Sequence, residues 1–247
     1  MATPKYQQIA DTLRAAILAG RYGPGDRLPG ESDLMARHSV ARMTVRQALS
    51  VLTAEGLAEP RKGAGVFVRA RPEPIRRRAG ARLARSVWGG GDSVWSADLD
   101  GRPLAVDRID VAEEPARPDI AGLLGIATGD PVCVRRRRYL VDGSPVMWAT
   151  SYLSAALVEG SLITSTGTGP GGVYARLADL GHVPVHARET VQARAAAPDE
   201  RALLGLSGAA VVVLVRRTVA TAEGTVVEVA DMVMDAGAYL LEYDVPM

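Results

Sequence analysis

Residues Arg27–Val68 read RLPGESDLMARHSVARMTVRQALSVLTAEGLAEPRKGAGVFV. Within this stretch, Glu31–Arg37 follows a Pro-Gly pair and turns Leu34 and Met35 to one side. His38-Ser39-Val40-Ala41 then breaks the pattern. From about Ala41 to Glu55, Val45, Leu49 and Leu52 recur at helical spacing, and Gly56 supplies the stop. Two short strands are expected near Ala58–Arg61 and Gly65–Arg69. The basic, glycine-spaced turn Arg61-Lys62-Gly63-Ala64-Gly65 joins them. Helix, short break, helix and basic hairpin is the order of a winged helix-turn-helix, whose partner is duplex DNA.

Upstream, Ile9, Leu13, Ala16 and Ile17 share one face of a helix expected over Tyr6–Ala19, closed by Gly20 and the Gly23-Pro24-Gly25 turn. Downstream, residues 69–78 read RARPEPIRRR. Two prolines exclude a helix and five arginines favour solvent, so a linker is expected over 69–79. The expected organisation is a DNA-binding domain over 1–68, that linker, and a second domain over 80–247.

The charge follows the same division. The chain of 247 residues has a net charge of +1, with 29 basic and 28 acidic residues. Residues 1–78 carry 14 Lys or Arg and 7 Asp or Glu, a balance of +7. The remaining 15 basic and 21 acidic residues leave −6. A basic head on an acidic body suits polyanion binding by one domain, although uneven surface decoration gives the same count. Hydrophobic residues make up 47% of the chain, enough for real cores, and a single Phe leaves Leu, Val, Ile and Ala to fill them. Cys133 is the one cysteine, which excludes an intrachain disulfide and suits a reducing compartment. The polar start, without the apolar run of a signal peptide, and the absence of any bilayer-length apolar stretch point to a cytoplasmic protein with no membrane association.

Past the linker, valine-rich strands are expected at Leu104–Val111, Val132–Val141, Val146–Tyr152, Val185–Ala193, Val211–Thr221 and Val226–Met234. Helices are expected at Pro118–Leu124, Val173–Leu180 and Pro198–Leu204. Asp142-Gly143 marks a hairpin between the second and third strands. The class is therefore α+β with a mainly antiparallel sheet. Leu123-Leu124-Gly125-Ile126 and Leu203-Leu204-Gly205-Leu206 each lead into a strand that reaches arginines, turns and returns. An internal duplication would make Arg137 equivalent to Arg216 and Gly143 to Gly224; a chance likeness of two hairpins is the alternative.

Arg42 and Arg46 lie four apart on one helical face. Taken alone they would be solvated helix charges. In this motif each can grip guanine O6 and N7, worth roughly 1–3 kcal/mol of discrimination. Thr44 beside them can reach a phosphate or a thymine methyl. Ser32 opens the shorter helix with its hydroxyl and nearby amides available to phosphate. Lys62 and Gly63 allow close backbone approach at the wing tip.

These residues also carry a family resemblance. Arg27-Leu28-Pro29, Glu31, Leu34, Thr44-Val45-Arg46, Ala48-Leu49, Leu52, Glu55-Gly56-Leu57 and Gly63-Ala64-Gly65-Val66-Phe67-Val68 closely resemble the winged helix-turn-helix of the GntR transcription regulators. The resemblance implies that the second helix of the motif enters the major groove, that the wing reaches the minor groove, and that a homodimer binds a pseudo-palindromic operator. Two positions depart from the family. Gly30 stands where Ser or Ala is usual. Ala41 stands where a Ser or Thr hydroxyl commonly caps the helix, a loss of about 1 kcal/mol.

From about residue 80 onward the chain resembles the UTRA effector domain of the HutC-type subfamily, whose fold is similar to chorismate lyase. The likeness rests on the Arg-rich strand before Asp142-Gly143-Ser144-Pro145-Val146, then Thr150-Ser151-Tyr152-Leu153, Gly171-Gly172-Val173-Tyr174, Glu228 and Tyr239–Tyr243. It implies a small-molecule effector, a sugar phosphate or organic acid, held by Arg137 with Tyr174 and Glu228. Arg135 shares the strand face of Arg137. Arg136 and Arg138 face the other way and are read as solvated. Tyr139 stands where sugar-phosphate-binding relatives carry a second arginine. An Arg137–Glu228 ion pair without ligand is the structural alternative. Arg82 and Arg85 are weaker anion-binding candidates.

No catalytic, metal or cofactor site is expected. The three histidines lack ligand spacing, Ser151 and Ser207 lack a nucleophile elbow, and the glycine runs lack the lysine of a P-loop. The reading is a metabolite-responsive repressor. The alternatives are a ligand-independent repressor whose second domain only dimerises, and a lyase-like enzyme with a DNA-binding appendage.

Overall fold

A computed structural model describes residues 3–69, 73–78 and 80–244. They fall into two compact units, Met1–Glu73 with Leu206–Ala210, and Pro74–Gly205 with Val211–Met247.

In the first unit, α1 (Lys5–Leu18), α2 (Glu31–His38) and α3 (Arg42–Ala54) precede the hairpin β1 (Ala58–Arg61) and β2 (Gly65–Val68). Ser39 takes a left-handed conformation (φ 50°) and ends α2, so the chain turns directly into α3. Val45, Ala48, Leu49 and Leu52 of α3 bury against Ile9 and Leu13 of α1 and Leu34 of α2. Each large aliphatic side chain buried there contributes roughly 1.5–3 kcal/mol. Arg14 of α1 donates to Glu55 past the end of α3, at 2.9 and 2.5 Å. Gly63, at φ 74°, supplies the positive φ of the wing turn.

The second unit opens with β3 (Ile75–Arg78), followed by α4 (Arg85–Trp88), β4 (Leu104–Pro115), α5 (Pro118–Leu124), β5 (Pro131–Val141) and β6 (Ser144–Ser154). Then come α6 (Ala155–Val158), α7 (Gly172–Asp179), β7 (His186–Ala195), α8 (Pro198–Leu204), β8 (Val211–Ala220), β9 (Val226–Asp235) and β10 (Tyr239–Glu242). Six strands form one antiparallel sheet in the order β4-β5-β6-β9-β8-β7. The α+β class read from the sequence holds. Each half of the sheet is a strand, a short helix with proline in its first turn, and a hairpin. Gly125 and Gly205 close α5 and α8 in the same left-handed conformation. Asp142 and Gly143, at φ 52° and 77°, make the turn their sequence predicts.

Two expectations are corrected. The stretch read as linker contains β3, which pairs in parallel with β10. Ile75 and Arg77 alternate inward while Arg76 and Arg78 face out, so one of the arginines read as solvent-facing is interior. The second unit thus opens at Pro74 instead of 80; residues 70–72 and 79 of the expected linker lie outside the described residues. The proposed equivalence of Arg137 with Arg216 is off by one. Arg137 lies opposite Ala149 in its hairpin, and the residue opposite Ala230 in the other is Arg217. A one-residue slip moves a side chain to the other face of the sheet.

Candidate nucleic-acid interface and ligand pocket

Arg42 and Arg46 project from the first turns of α3 with their side chains 70% and 61% exposed. The carboxylate of Glu31, at the start of α2, lies 2.5 Å from Arg42 Nε and 3.8 Å from Arg46 Nε. It therefore holds both guanidiniums on one side of the motif. Met43, between them in sequence, is 70% exposed, and the sequence reading missed it. Thr44 is half-buried, and Ser32 is exposed in the first turn of α2. The N-caps of α2 and α3 are Gly30 and Ala41, and neither makes a side-chain capping bond. The first amides of both helices remain available to an acceptor. Lys62 and Gly63 sit exposed at the wing turn. Behind them Arg61 stacks over Phe67 at 4.4 Å and pairs with Glu59 at 2.9 Å.

The second unit contains a cavity of about 410 Å³. Arg135, Arg137, Tyr174 and Glu228, the four residues singled out in the sequence, all line it. So do Trp95, Tyr139, Ile109 and the glycine-rich loop 166–172 at the start of α7. That loop is held close. Gly171 has φ 73°, and a Cβ there would lie 2.4 Å from the Trp88 carbonyl oxygen. The N-cap of α7, Gly171, carries no side-chain bond.

The two pocket arginines differ in what they have left to offer. Arg135 donates through Nη1 and Nη2 to the carbonyls of Ile163, Ser165 and Thr166, which ties that end of its guanidinium to the loop, and its Nε, like that of Arg137, is buried without a hydrogen-bond partner. Burial, and then the Arg137 charge, press its pKa down to about 10. Arg137 is 7% exposed and donates to the Ser151 hydroxyl at 2.8 Å. Its Nε is buried without a hydrogen-bond partner. Among the described residues no carboxylate lies within 4 Å of it, so the Arg137–Glu228 ion pair is not formed. The guanidinium stands 5.7 Å from the Trp95 ring and 5.9 Å from Tyr139, and those two rings pack at 4.9 Å. Tyr174 is buried, and that burial raises its hydroxyl pKa despite the Arg217 charge beside it.

On the opposite face the other arginines are neutralised. Arg136 meets Glu114 at 2.7 Å and Asp110 at 3.1 Å, and Arg138 meets Asp107 and the Leu203 carbonyl. They are paired with carboxylates rather than simply solvated. Arg82 is 3% exposed and bonded inside the unit, which the sequence did not indicate. Among the described residues no cluster of His, Cys, Asp or Glu could hold a metal, and no helix is long and apolar enough to cross a membrane.

Each unit matches a known domain family. Residues 5–68 match the model of the bacterial regulatory proteins of the gntR family, and residues 100–239 match the UTRA domain. An HTH-type transcriptional regulator of Streptomyces coelicolor is 33% identical over 98% of this chain and 92% of its own. The HTH-type transcriptional repressor NagR of Bacillus subtilis is 27% identical over 96% and 92%. A solved GntR-family transcriptional regulator superposes with a TM-score of 0.67 at 27% identity, covering 99% of this chain and 98% of that one.

Proposed function

The chain belongs to the GntR family of bacterial regulatory proteins and carries a UTRA effector domain, and from that premise we propose that it is a homodimeric repressor released or engaged by a small organic anion. DNA binding and transcription regulation come with the family. The finer reading concerns which residues act and what the cavity takes.

Arg42 and Arg46 are read as the base-contacting residues, with Thr44, Ser32, Lys62 and Gly63 positioning the phosphate backbone. The single observation that carries the ligand reading is the state of Arg137. A buried guanidinium with an unpaired Nε and no carboxylate in reach costs free energy until an anion arrives. A carboxylate or phosphate on Arg137 would bring the apolar remainder of the molecule against Trp95, Tyr139 and Ile109. Glu228 and Tyr174 would take its hydroxyl or amine groups. A sugar phosphate and an organic acid both fit this chemistry.

The test uses the full chain. Fluorescence anisotropy on its own upstream intergenic DNA gives tight binding that falls with salt at a log–log slope of about −5 or steeper, for roughly six phosphate contacts per dimer. Arg46→Ala loses preference for that DNA over a scrambled duplex while light scattering still finds a dimer. Thermal shift against sugar phosphates and organic acids raises the midpoint with at least one of them, and Arg137→Ala abolishes that rise. A protein that binds the DNA but responds to no such anion is a ligand-independent repressor, and the pocket reading then fails.

A further inference from the structure

A single oxygen organises the charges beside the cavity. Glu189 Oε1, on β7, accepts from Arg77 Nη2 of β3 at 2.9 Å, Arg82 Nη2 at 2.6 Å and Arg217 Nε of β8 at 2.8 Å. All three guanidiniums are almost wholly buried, at 5%, 2% and 1% side-chain exposure. Asp98 is the nearest other carboxylate, 3.6 Å from Arg82 Nε. Arg77 also donates to the sulfurs of Met234 and Met232, which accept weakly.

Arg217 carries this node to the pocket. Its Nη1 donates to the Tyr174 hydroxyl at 2.9 Å, and its guanidinium stands 5.5 Å from the Trp95 ring. Tyr174 and Trp95 are both walls of the cavity. Arg137 lies against the same Trp95 ring. The two halves of the sheet differ at the matching position. The edge residue opposite Arg137 is Ile109, whereas the edge residue opposite Arg217 is Glu189. One arginine has its counter-ion built in, and it is the one that holds the pocket wall.

We propose that Glu189 is a positioning residue of the ligand pocket, orienting Tyr174 and Trp95 through Arg217 and, through the same oxygen, tying their arrangement to Arg77 on β3. β3 is the strand that follows the linker in the chain, so an occupant pressing on Tyr174 or Trp95 changes the order of that strand. The regulatory meaning of this coupling rests on the reading of the cavity as an effector site; the coupling itself does not require a ligand.

The experiment is a ligand-free double-mutant cycle on the full chain, read by hydrogen exchange of the amides in β3 and β10. Tyr174→Phe removes one hydroxyl from the pocket wall and accelerates exchange in 75–78 and 239–242 by about five-fold or more. In the Glu189→Gln background the same change leaves those rates where they were. Amides of α1 and α3 do not respond in any variant. Equal effects of Tyr174→Phe in both backgrounds, or no effect on β3, overturn the proposal, because a carboxylate that only stabilises the fold adds its effect independently. If Glu189→Gln does not fold, Arg77→Met replaces it. A thioether beside Met232 and Met234 keeps the packing and cuts only the last link, and it likewise silences the effect of Tyr174→Phe. A cavity that binds no anion leaves this cycle unaffected, so the two readings fail separately.

Discussion

Glu31 at the head of α2 accepts a 2.5 Å hydrogen bond from Arg42 Nε on α3, across the turn of the helix-turn-helix. The same carboxylate reaches Arg46. An exposed pair of this kind is worth about 0–1 kcal/mol, so its weight in stability is small. Its consequence is directional, because it brings two flexible, exposed guanidiniums to one carboxylate, and if these side chains contact bases as proposed, it aims them.

Glu31→Gln separates aim from charge. The variant keeps the midpoint of thermal unfolding within a degree or two, consistent with the small value of an exposed pair. It binds scrambled duplex several-fold more tightly at low salt, since one negative charge near the phosphates is gone. Its preference for the operator over scrambled duplex falls, because neither guanidinium is held. Anisotropy on both duplexes checks this, and an undiminished preference would rule out the aiming role.

The missing hydroxyl at the start of α3 is a second handle. Ala41 is the N-cap and makes no capping bond. Ala41→Ser supplies an acceptor for a first-turn amide and stabilises the N-terminal unit by about 1 kcal/mol. For a unit of this size that is a rise of roughly 4–8 °C in its midpoint. Calorimetry of the full chain measures it. No gain would mean that the amides are already satisfied.

The Glu189 node sets an acid limb on stability. Burial alone would raise the carboxyl pKa, but Arg217, Arg77 and Arg82 outweigh it and bring it from 4.5 to about 2. A depressed folded pKa stabilises the native state above the unfolded value, and that gain drains away as pH falls from about 4.5 toward 2. Asp98 works the other way. Burial holds its pKa up despite Arg82, so its protonation on acidification favours the fold and offsets part of the loss. Urea midpoints of the second unit therefore drop through this window in the parent. They drop less in Glu189→Gln, which starts lower at neutral pH. Parallel curves for the two proteins would exclude Glu189 as the source.

The recognition half was open to reading because its information is local. Leu34, Val45, Leu49 and Leu52 announce two helices by spacing, and Gly56 and Gly63 announce where the backbone must turn. The six strands of the large sheet were placed within a few residues for the same reason, since alternation and the Asp142-Gly143 turn act over short range. Arg135 and Arg137 could be put on one strand face by parity. Parity could not say that Arg135 would turn its Nη1 and Nη2 to the carbonyls of Ile163, Ser165 and Thr166.

Sequence alone thus determined the three helices and wing of the first unit, the six strands of the large sheet, the α+β class, the family and the exposed arginines of α3, because each depends on neighbours within a turn or a hairpin; β3 and β10, which pair across the chain, it did not show. Tertiary structure alone decided which buried arginines, Arg135 and Arg137, have no carboxylate within 4 Å among the described residues and which three share one. Arg77, Arg82, Glu189 and Arg217 come from separate segments, and their meeting depends on strand register, where a single step distinguishes Arg216, paired with Asp231, from Arg217 in the interior. Electrostatic pairing is set by distance and burial in space, and neither leaves a periodic trace along the chain.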